Sequence, residues 1–374
     1  MILNKRSYSL LLKRCESLFF PILSDSIILT SIFNHAHVIE KGFQLPIITS
    51  VFFISTPSLI YFFIHSNTKK VTVLFITFSQ NNYSLIANDT LRRSENMQYG
   101  EDYHYIPVTS LLSMVGQAVL PDIYCYTIQV VNVIFIGDPS KKDGWVLVDA
   151  GMPKSAKTII DVAEHRFGKN VKPKAILLTH GHFDHVGAII ELVEHWEVPV
   201  YAHSDEIPYL TGKKHYPEPD PSVGGGLVSR ISSTFPNKSI SLGDIVQALP
   251  EDGTIPSLPD WKWLHTPGHS PGHVSFFREK DRTLIAGDAF VTVKQESLYK
   301  VFTQEKEFSG PPKYFTTDWN AAWESVKKLQ QLIPNIALTG HGVPVSGDEL
   351  TEELTKLANH FDTLGMPSQG RYLQ

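Results

Sequence analysis

Cysteine is scarce in this sequence. The 374 residues include only Cys15 and Cys125, and no Cys-x-x-Cys pair is present. A disulfide framework or a zinc site built from thiolates needs more cysteines than this. The scarcity therefore argues against both, and it favours a reducing compartment, so a cytoplasmic protein is expected.

A strongly basic region of the kind that binds polyanions is also missing. The formal net charge is −5, and residues 97–374 carry 24 Lys and Arg against 33 Asp and Glu. Nucleic-acid binding draws much of its affinity from Lys and Arg placed on phosphates. The charge balance therefore predicts a small-molecule substrate and no nucleic-acid partner.

Glycine is rare and amphipathic periodicity is lacking in the first ninety-six residues. Residues 45–65 contain no Lys, Arg, Asp or Glu and approach the length of a membrane-spanning helix. Pro46, Pro57 and the absence of a signal-peptide layout argue against that interpretation. We interpret residues 1–96 as an N-terminal extension, either a membrane anchor or no part of the working protein, and residues 97–374 as the functional domain.

What the later sequence does contain is a series of short apolar strands that each stop at a polar side chain. The residues at or just after these predicted strand ends are Asp149, His180, His203, Asp288 and His341. Strand ends on one side of a sheet gather such side chains around one cleft, where an unpaired buried charge would be costly. Residues 126–136 form a β-branched and aromatic run, and the apolar spacing over residues 183–196 predicts a helix.

The densest cluster of these side chains lies in the segment Thr-His-Gly-His-Phe-Asp-His-Val-Gly that begins at Thr179. His180 and His182, separated by one residue, can point from an extended loop toward one metal ion. Asp184 and His185 follow at the predicted helix start and can face a second ion. Imidazole and carboxylate are ligands that zinc and similar ions prefer, so this segment indicates a metal site.

The pattern His-x-His-x-Asp-His resembles the signature of the metallo-β-lactamase superfamily. Further elements follow in that family's order: Thr-Pro-Gly-His-Ser-Pro-Gly around His269, Gly-Asp at Asp288 and Gly-His at His341. Asp149 lies in an Asp-x-Gly element ahead of the signature. The match is collinear over about residues 120–345.

The resemblance implies an α/β fold, the αββα sandwich of two mixed β-sheets flanked by helices, with the site at one edge. It further implies two divalent metal ions, most readily Zn²⁺. One ion would be held by His180, His182 and His269, the other by Asp184, His185 and His341, with Asp288 bridging them. Asp149 would orient a ligand, and Asp184 would handle a proton during departure of the leaving group.

The resemblance and the ligand chemistry together imply a metal-dependent hydrolase. Two ions would share a hydroxide that cleaves an ester, lactone, thioester or amide bond in a small molecule. Glyoxalase II-like thioesterases and acyl-homoserine lactonases share this ligand set. The alternatives are a persulfide dioxygenase-like oxidoreductase with a single iron and, disfavoured by the acidic balance, a phosphodiesterase or nuclease. His182 argues against the flavodiiron proteins, which have Glu there.

Several other residues near these motifs are interpreted as supporting ones. His265 and His273 flank the His269 loop, and His203 follows a strand. We expect His265 and His273 to be structural or to orient ligands, and His203 to lie either beside the site or at the surface. Tyr209 and Tyr216, in the Pro- and Gly-rich excursion over residues 204–259, are interpreted as packing residues.

Overall fold

The structure is a computed structural model that describes residues 97–141 and 143–373 and, before them, five strands within residues 29–86. It divides the chain into two compact units, Met1–Arg92 and Arg93–Gln374. This division lies close to the boundary predicted at Met97. The assignment of the functional domain to residues 97–374 stays a prediction.

The first unit contains a sheet of short apolar strands. These are β1 (Leu29–Ser31), β2 (Ile48–Thr56), β3 (Leu59–Ser66), β4 (Val71–Ser79) and β5 (Asn82–Ile86). They pair antiparallel in chain order, and their β-branched and aromatic composition is typical of strands. Most of residues 45–65, considered above as one spanning helix, therefore lies in β2 and β3. In the part of the chain that the structure describes, no helix is long and apolar enough to cross a membrane.

The second unit contains two further sheets, of which the first has seven strands. They are β6 (Gly116–Leu120), β7 (Ile123–Ile128), β8 (Val131–Ile136), β9 (Val146–Val148), β10 (Ile176–Leu177), β11 (Val200–Ala202) and β12 (Val246–Ala248). Their order across the sheet is β12-β11-β10-β9-β8-β7-β6. Neighbours from β9 to β12 are parallel, and those from β6 to β9 are antiparallel. This sheet is therefore mixed.

The other sheet of the second unit has five strands in chain order. They are β13 (Trp261–His265), β14 (Val274–Arg278), β15 (Thr283–Gly287), β16 (Ile336–Thr339) and β17 (Val345–Ser346). Only β15 and β16 pair in parallel. This sheet is mixed as well, and its parallel pair ends beside two of the predicted ligands.

The second unit also contains α-helices. They are α1 (Ala156–Phe167), α2 (Ile189–Trp196), α3 (Ile207–Leu210), α4 (Leu227–Ile231), α5 (Leu298–Thr303), α6 (Trp319–Gln331), α7 (Gly347–Asn359) and α8 (Phe361–Leu364). One core joins the first sheet to α1 and α2, and another joins the second sheet to α6 and α7. A third core lies between the two sheets.

The alternation of side chains along a strand explains these three layers. In β9, Leu147 packs into the core with α1 and α2, whereas Val146 and Val148 pack into the core between the sheets. Successive strand residues point to opposite faces, so a fully apolar strand serves two cores at once. Two mixed sheets with helices outside form the αββα fold, and the predicted fold class is confirmed.

Two element boundaries differ from the predictions. The helix expected over residues 183–196 begins only at Ile189, because its first turns bond elsewhere: the carbonyl of His185 accepts from Ala150 N–H at 2.6 Å, and Gly187 N–H donates to Gly151 O at 2.7 Å. The run over residues 126–136 is a hairpin of β7 and β8 rather than one strand. Its turn includes Gln129, whose φ is +57°.

Candidate metal centre

Strand ends bring four of the predicted site residues to one edge of the sandwich. Asp149 follows β9, and His180 follows β10 after two residues; these strands are parallel neighbours in the first sheet. Asp288 follows β15 and His341 lies just beyond β16, which are parallel neighbours in the second sheet. Because parallel strands end at the same edge, both sheets present acids and imidazoles there. His269 comes from the connection between β13 and β14.

The first cluster consists of His180, His182 and His269. All three are buried, and their ligand nitrogens lie within 4.8 Å of one another. The Nδ1 of His182 is 2.9 Å from the Nε2 of His269. On its other nitrogen, His269 contacts Thr316 Oγ1 at 3.1 Å. The ring of His182 is flanked by Tyr216 and Phe315, each with its ring centroid 4.5 Å away.

The second cluster consists of Asp184, His185 and His341, with ligand atoms again within 4.8 Å of one another. The Nε2 of His341 is 3.4 Å from Asp184 Oδ2. The Nδ1 of His341 lies 2.8 Å from the backbone oxygen of Val130, so it carries the proton and leaves Nε2 facing the cluster. Asp184 and His185 lie in the turn ahead of α2, not at the helix start as expected.

Asp288 stands between the two clusters. Its Oδ2 is 3.5 Å from His269 Nε2 in the first cluster. The same oxygen is 3.6 Å from His185 Nε2 and 3.3 Å from His341 Nε2 in the second. A single carboxylate thus reaches toward both groups of imidazoles, which is the placement a bridging ligand requires.

Asp149 supports the site from behind. Its Oδ2 lies 2.8 Å from the Nδ1 of His185. The same carboxylate accepts hydrogen bonds from the backbone N–H and the hydroxyl of Thr179, each with an oxygen at 2.8 Å. The residue is buried and has a φ of +61°. It therefore both orients a predicted ligand and fixes the loop that begins the His-x-His segment.

Three of the buried polar atoms left without partners belong to the two clusters, where a cation would satisfy them. In the described residues, His180 Nε2, His185 Nε2 and Asp288 Oδ1 are buried and have no hydrogen-bond partner. An unsatisfied buried polar atom costs about 1–3 kcal/mol. Imidazole nitrogen and carboxylate oxygen are suitable ligands for zinc and similar divalent ions. The donor set therefore fits the metal ions that the resemblance implies.

The electrostatics of the two clusters differ. Burial lowers the pKa of His182 to about 4 and holds the pKa of His180 and His269 well below its usual value. Burial acts in the same direction on His341, but the carboxylates of Asp288 and Asp184 outweigh it and raise its pKa to about 10. The first cluster thus offers neutral imidazoles, whereas an ion entering the second must displace protons.

The neighbouring histidines have different roles. His273 Nε2 accepts a hydrogen bond from Asp288 N–H at 2.9 Å, so His273 positions the bridging residue. His203, Asp205 and His265 form another group with metal-ligand spacing. The rings of His203 and His265 are stacked 4.1 Å apart at 11°, however, so their in-plane lone pairs run side by side and do not converge on one ion.

Sequence reasoning missed part of the supporting shell. Glu206 is fully buried and contacts Tyr216 and the loop that carries His269. Thr316 holds His269, and Phe315 lies against His182. These residues come from two long excursions, the one over residues 204–259 and the connection between α5 and α6, where no periodic pattern marks a position as buried. The one available signal was the length of those excursions beside a predicted cleft.

Comparison with known proteins identifies the family of this chain. The sequence pattern of the family described as the metallo-β-lactamase superfamily matches residues 126–341. The chain is 50% identical over 260 residues to the probable metallo-hydrolase YflN of Bacillus subtilis, covering 70% of this chain and 98% of that protein. It is 33% identical over 207 residues to the probable metallo-hydrolase YybB of the same organism, covering 55% of this chain and 80% of that protein.

A similar solved structure is that of BLEG-1, a B3 metallo-β-lactamase. Its sequence is 25% identical to this one. The match covers 62% of this chain and 92% of that chain, with a TM-score of 0.41. The family match and the relatives decide the assignment: the chain belongs to the metallo-β-lactamase superfamily. The two relatives are described as probable metallo-hydrolases, and within that superfamily this chain is likewise a metal-dependent hydrolase.

Proposed function

We propose that this chain is a dinuclear hydrolase that cleaves an ester, lactone, thioester or amide bond in a small molecule, and that its ions are Zn²⁺. The observation that carries the proposal is the completeness of both clusters around Asp288. A single-iron dioxygenase would need only one set of ligands. The intact second group of Asp184, His185 and His341 therefore favours two ions.

Each of the seven predicted ligands is assigned a role. His180, His182 and His269 would hold one ion, Asp184, His185 and His341 the other, and Asp288 both. Bound ions supply a water molecule that ionises near neutral pH and a Lewis acid for a substrate oxygen. Among the seven residues Asp184 is the most exposed, at 8%, against 0–2% for the rest. We assign to it the transfer of a proton to the leaving group, because a carboxylate that touches solvent can exchange protons.

The surroundings of the clusters support a small organic substrate. Phe183, Phe235, Tyr314 and Phe315 form an aromatic cluster that continues from the ring of His182. The excess of acidic residues over residues 97–374 disfavours a polyanionic substrate. A nuclease thus remains the weaker alternative.

The location and the domain assignment are likewise proposed. Cys125 is a buried free thiol whose pKa burial raises to about 12, so it is unreactive, and this fits a cytoplasmic protein. The family match lies wholly within residues 97–374. The relative YflN is covered over 98% of its length by 260 aligned residues, which supports a catalytic unit of about that size.

The decisive test is the number and kind of metal ions per chain. We expect plasma mass spectrometry on the full-length protein, expressed without added metal, to find about two zinc ions per chain. Asp288→Ala should bind fewer and should lose turnover of lactones and thioesters while staying folded. One iron per chain and no zinc would contradict the proposal and support the dioxygenase.

A further inference from the structure

Glu206 is a buried acid with an unusual set of partners. It is fully buried, and its carboxylate accepts hydrogen bonds from the Tyr216 hydroxyl, the Ser270 hydroxyl and, at 3.1 Å, the backbone N–H of Gly272. Burial raises the pKa of Glu206, while hydrogen bonds from Ser270, Tyr216 and backbone N–H groups oppose that rise. Its hydrogen-bond donors are all neutral groups, an arrangement that is costly for a buried carboxylate.

Two of these donors belong to the loop that carries His269. Ser270 directly follows His269, and Gly272 lies in the same loop. This loop approaches Glu206 so closely that a Cβ on Gly272 would lie 2.6 Å from Glu206 N. One end of the carboxylate therefore holds the segment that carries His269.

The other end of the carboxylate reaches the His-x-His segment through Tyr216. The Tyr216 hydroxyl donates to Glu206 and packs against Gly181, where a Cβ would lie 2.5 Å from the hydroxyl oxygen. The Tyr216 ring also lies 4.5 Å from that of His182. Gly181 separates His180 from His182, so this contact sets the spacing of both imidazoles relative to His269.

We infer that Glu206 is a positioning residue of the metal centre, which locks the His180–His182 segment and the His269 loop into one geometry and supplies negative charge beside the ion they hold. The inference rests on the proposed function, in which this cluster binds a divalent ion. A cation held by three neutral imidazoles would offset the buried charge of Glu206. Metal binding and the Glu206 carboxylate therefore stabilise each other, a coupling that is reciprocal.

The test measures the two Zn²⁺ dissociation constants of the full-length protein by competition with a chromophoric chelator. His182→Ala identifies which binding step belongs to the first cluster. Glu206→Ala is expected to weaken that step by about 10- to 100-fold and to leave the other nearly unchanged. Glu206→Gln, which retains one acceptor oxygen and can donate to Tyr216, should recover part of the loss.

Asp220→Asn is the matched control. Asp220 lies in the same excursion, is 2% exposed and accepts hydrogen bonds from Ser222 N–H, the Ser222 hydroxyl and Arg371 N–H. It contacts neither metal-bearing loop through these bonds. We expect its substitution to lower stability without changing either dissociation constant. The visible spectrum of the Co²⁺-loaded protein, which reports ligand geometry, should change in Glu206→Ala and not in Asp220→Asn.

The outcomes separate the two proposals. Wild-type protein that binds no divalent ion would refute the proposed function itself. Wild-type binding of two ions together with unchanged affinity and spectrum in Glu206→Ala would overturn the inference alone. If Glu206→Ala does not fold, Ser270→Ala and Tyr216→Phe each remove one donor, and each should weaken the first-cluster step several-fold. No change in either would also overturn the inference.

Discussion

At the scale of single residues, the centre orients its imidazoles by occupying the nitrogen that points away from the clusters. His185 Nδ1 meets Asp149, His341 Nδ1 meets the carbonyl of Val130, and His269 Nδ1 meets the hydroxyl of Thr316. Each contact fixes the ring and selects the tautomer, which leaves the other nitrogen free for an ion. The partners are of three chemical kinds, so no single sequence motif marks them.

Asp149→Ala tests this residue-scale arrangement in the second cluster. The change removes the acceptor for His185 Nδ1 and leaves the buried N–H of Thr179 without its partner. We expect the affinity for one of the two ions to fall by about 10- to 100-fold. The free energy of unfolding of the metal-free protein should fall by about 1–3 kcal/mol. Metal competition and urea denaturation measure the two effects.

Asp149→Asn provides the comparison for that prediction. The amide oxygen can still accept one of these hydrogen bonds, so its losses should be smaller than those of Asp149→Ala. Unchanged affinity for both ions in Asp149→Ala would contradict the orienting role and leave Asp149 as a loop residue only.

At the scale of elements, strand ends were the part of the site that the sequence could predict. Asp149, His180, Asp288 and His341 each follow a short apolar run, and the edge of a sheet brings such positions together without knowledge of the loops. His269 lies between antiparallel strands and was recognisable only through the resemblance. Glu206 could not be found, because its burial depends on how a long excursion folds back onto the His269 loop.

The predicted start of α2 is wrong because tertiary hydrogen bonds override the local helical pattern. The apolar spacing of residues 183–196 is helical throughout, yet Gly187 must pack directly on the loop at Gly151, and a Cβ there would lie 2.3 Å from Pro153 N. That contact delays α2 until Ile189. The same contact keeps Asp184 and His185 in a turn, from which both can face the second cluster.

Asn132 joins the two sheets at the edge where the clusters lie. It is in β8 of the first sheet, and its side-chain amide donates to the carbonyls of Thr339 at 2.9 Å and Gly342 at 2.7 Å, on either side of His341. Asn132→Ala leaves both buried carbonyls without this donor. We expect the free energy of unfolding to fall by about 1–3 kcal/mol and the ion of the second cluster to bind more weakly.

Thr127→Val is the control for Asn132→Ala. The Thr127 hydroxyl donates to Asn132 Oδ1 at 2.8 Å. Thr127→Val therefore removes a hydrogen bond within the first sheet of the second unit and keeps both hydrogen bonds of Asn132 to the other sheet. Its metal affinities should match those of the wild type in the same chelator titration. Equal weakening of metal binding in the two variants would show that the link between the sheets is not what places His341.

At the scale of the whole molecule, the described cores and the candidate centre are built from residues of the second unit. The segment just after Met97 already belongs to it: Gln98 exchanges backbone hydrogen bonds with Ser241 at 2.9 and 2.8 Å. The hydroxyl of Tyr99 donates to Glu191 on α2, and that of Tyr103 donates to the carbonyl of Gly187. These contacts stabilise the turn that carries Asp184 and His185. The folded hydrolase unit should therefore require the residues from about Met97 onward.

Two truncations test that limit. Residues 97–374 should bind the same number of metal ions as the full chain, turn over the same substrates and unfold at the same urea concentration. Residues 107–374 lack Gln98, Tyr99 and Tyr103; their free energy of unfolding should be lower by at least about 1–3 kcal/mol, the cost of one unsatisfied buried group. Because Gly187 lies two residues after His185, their metal affinity should fall as well.

Loss of metal binding already in residues 97–374 would show that the first unit contributes to the working enzyme. Wild-type behaviour of residues 107–374 would show that the contacts of Gln98, Tyr99 and Tyr103 are dispensable.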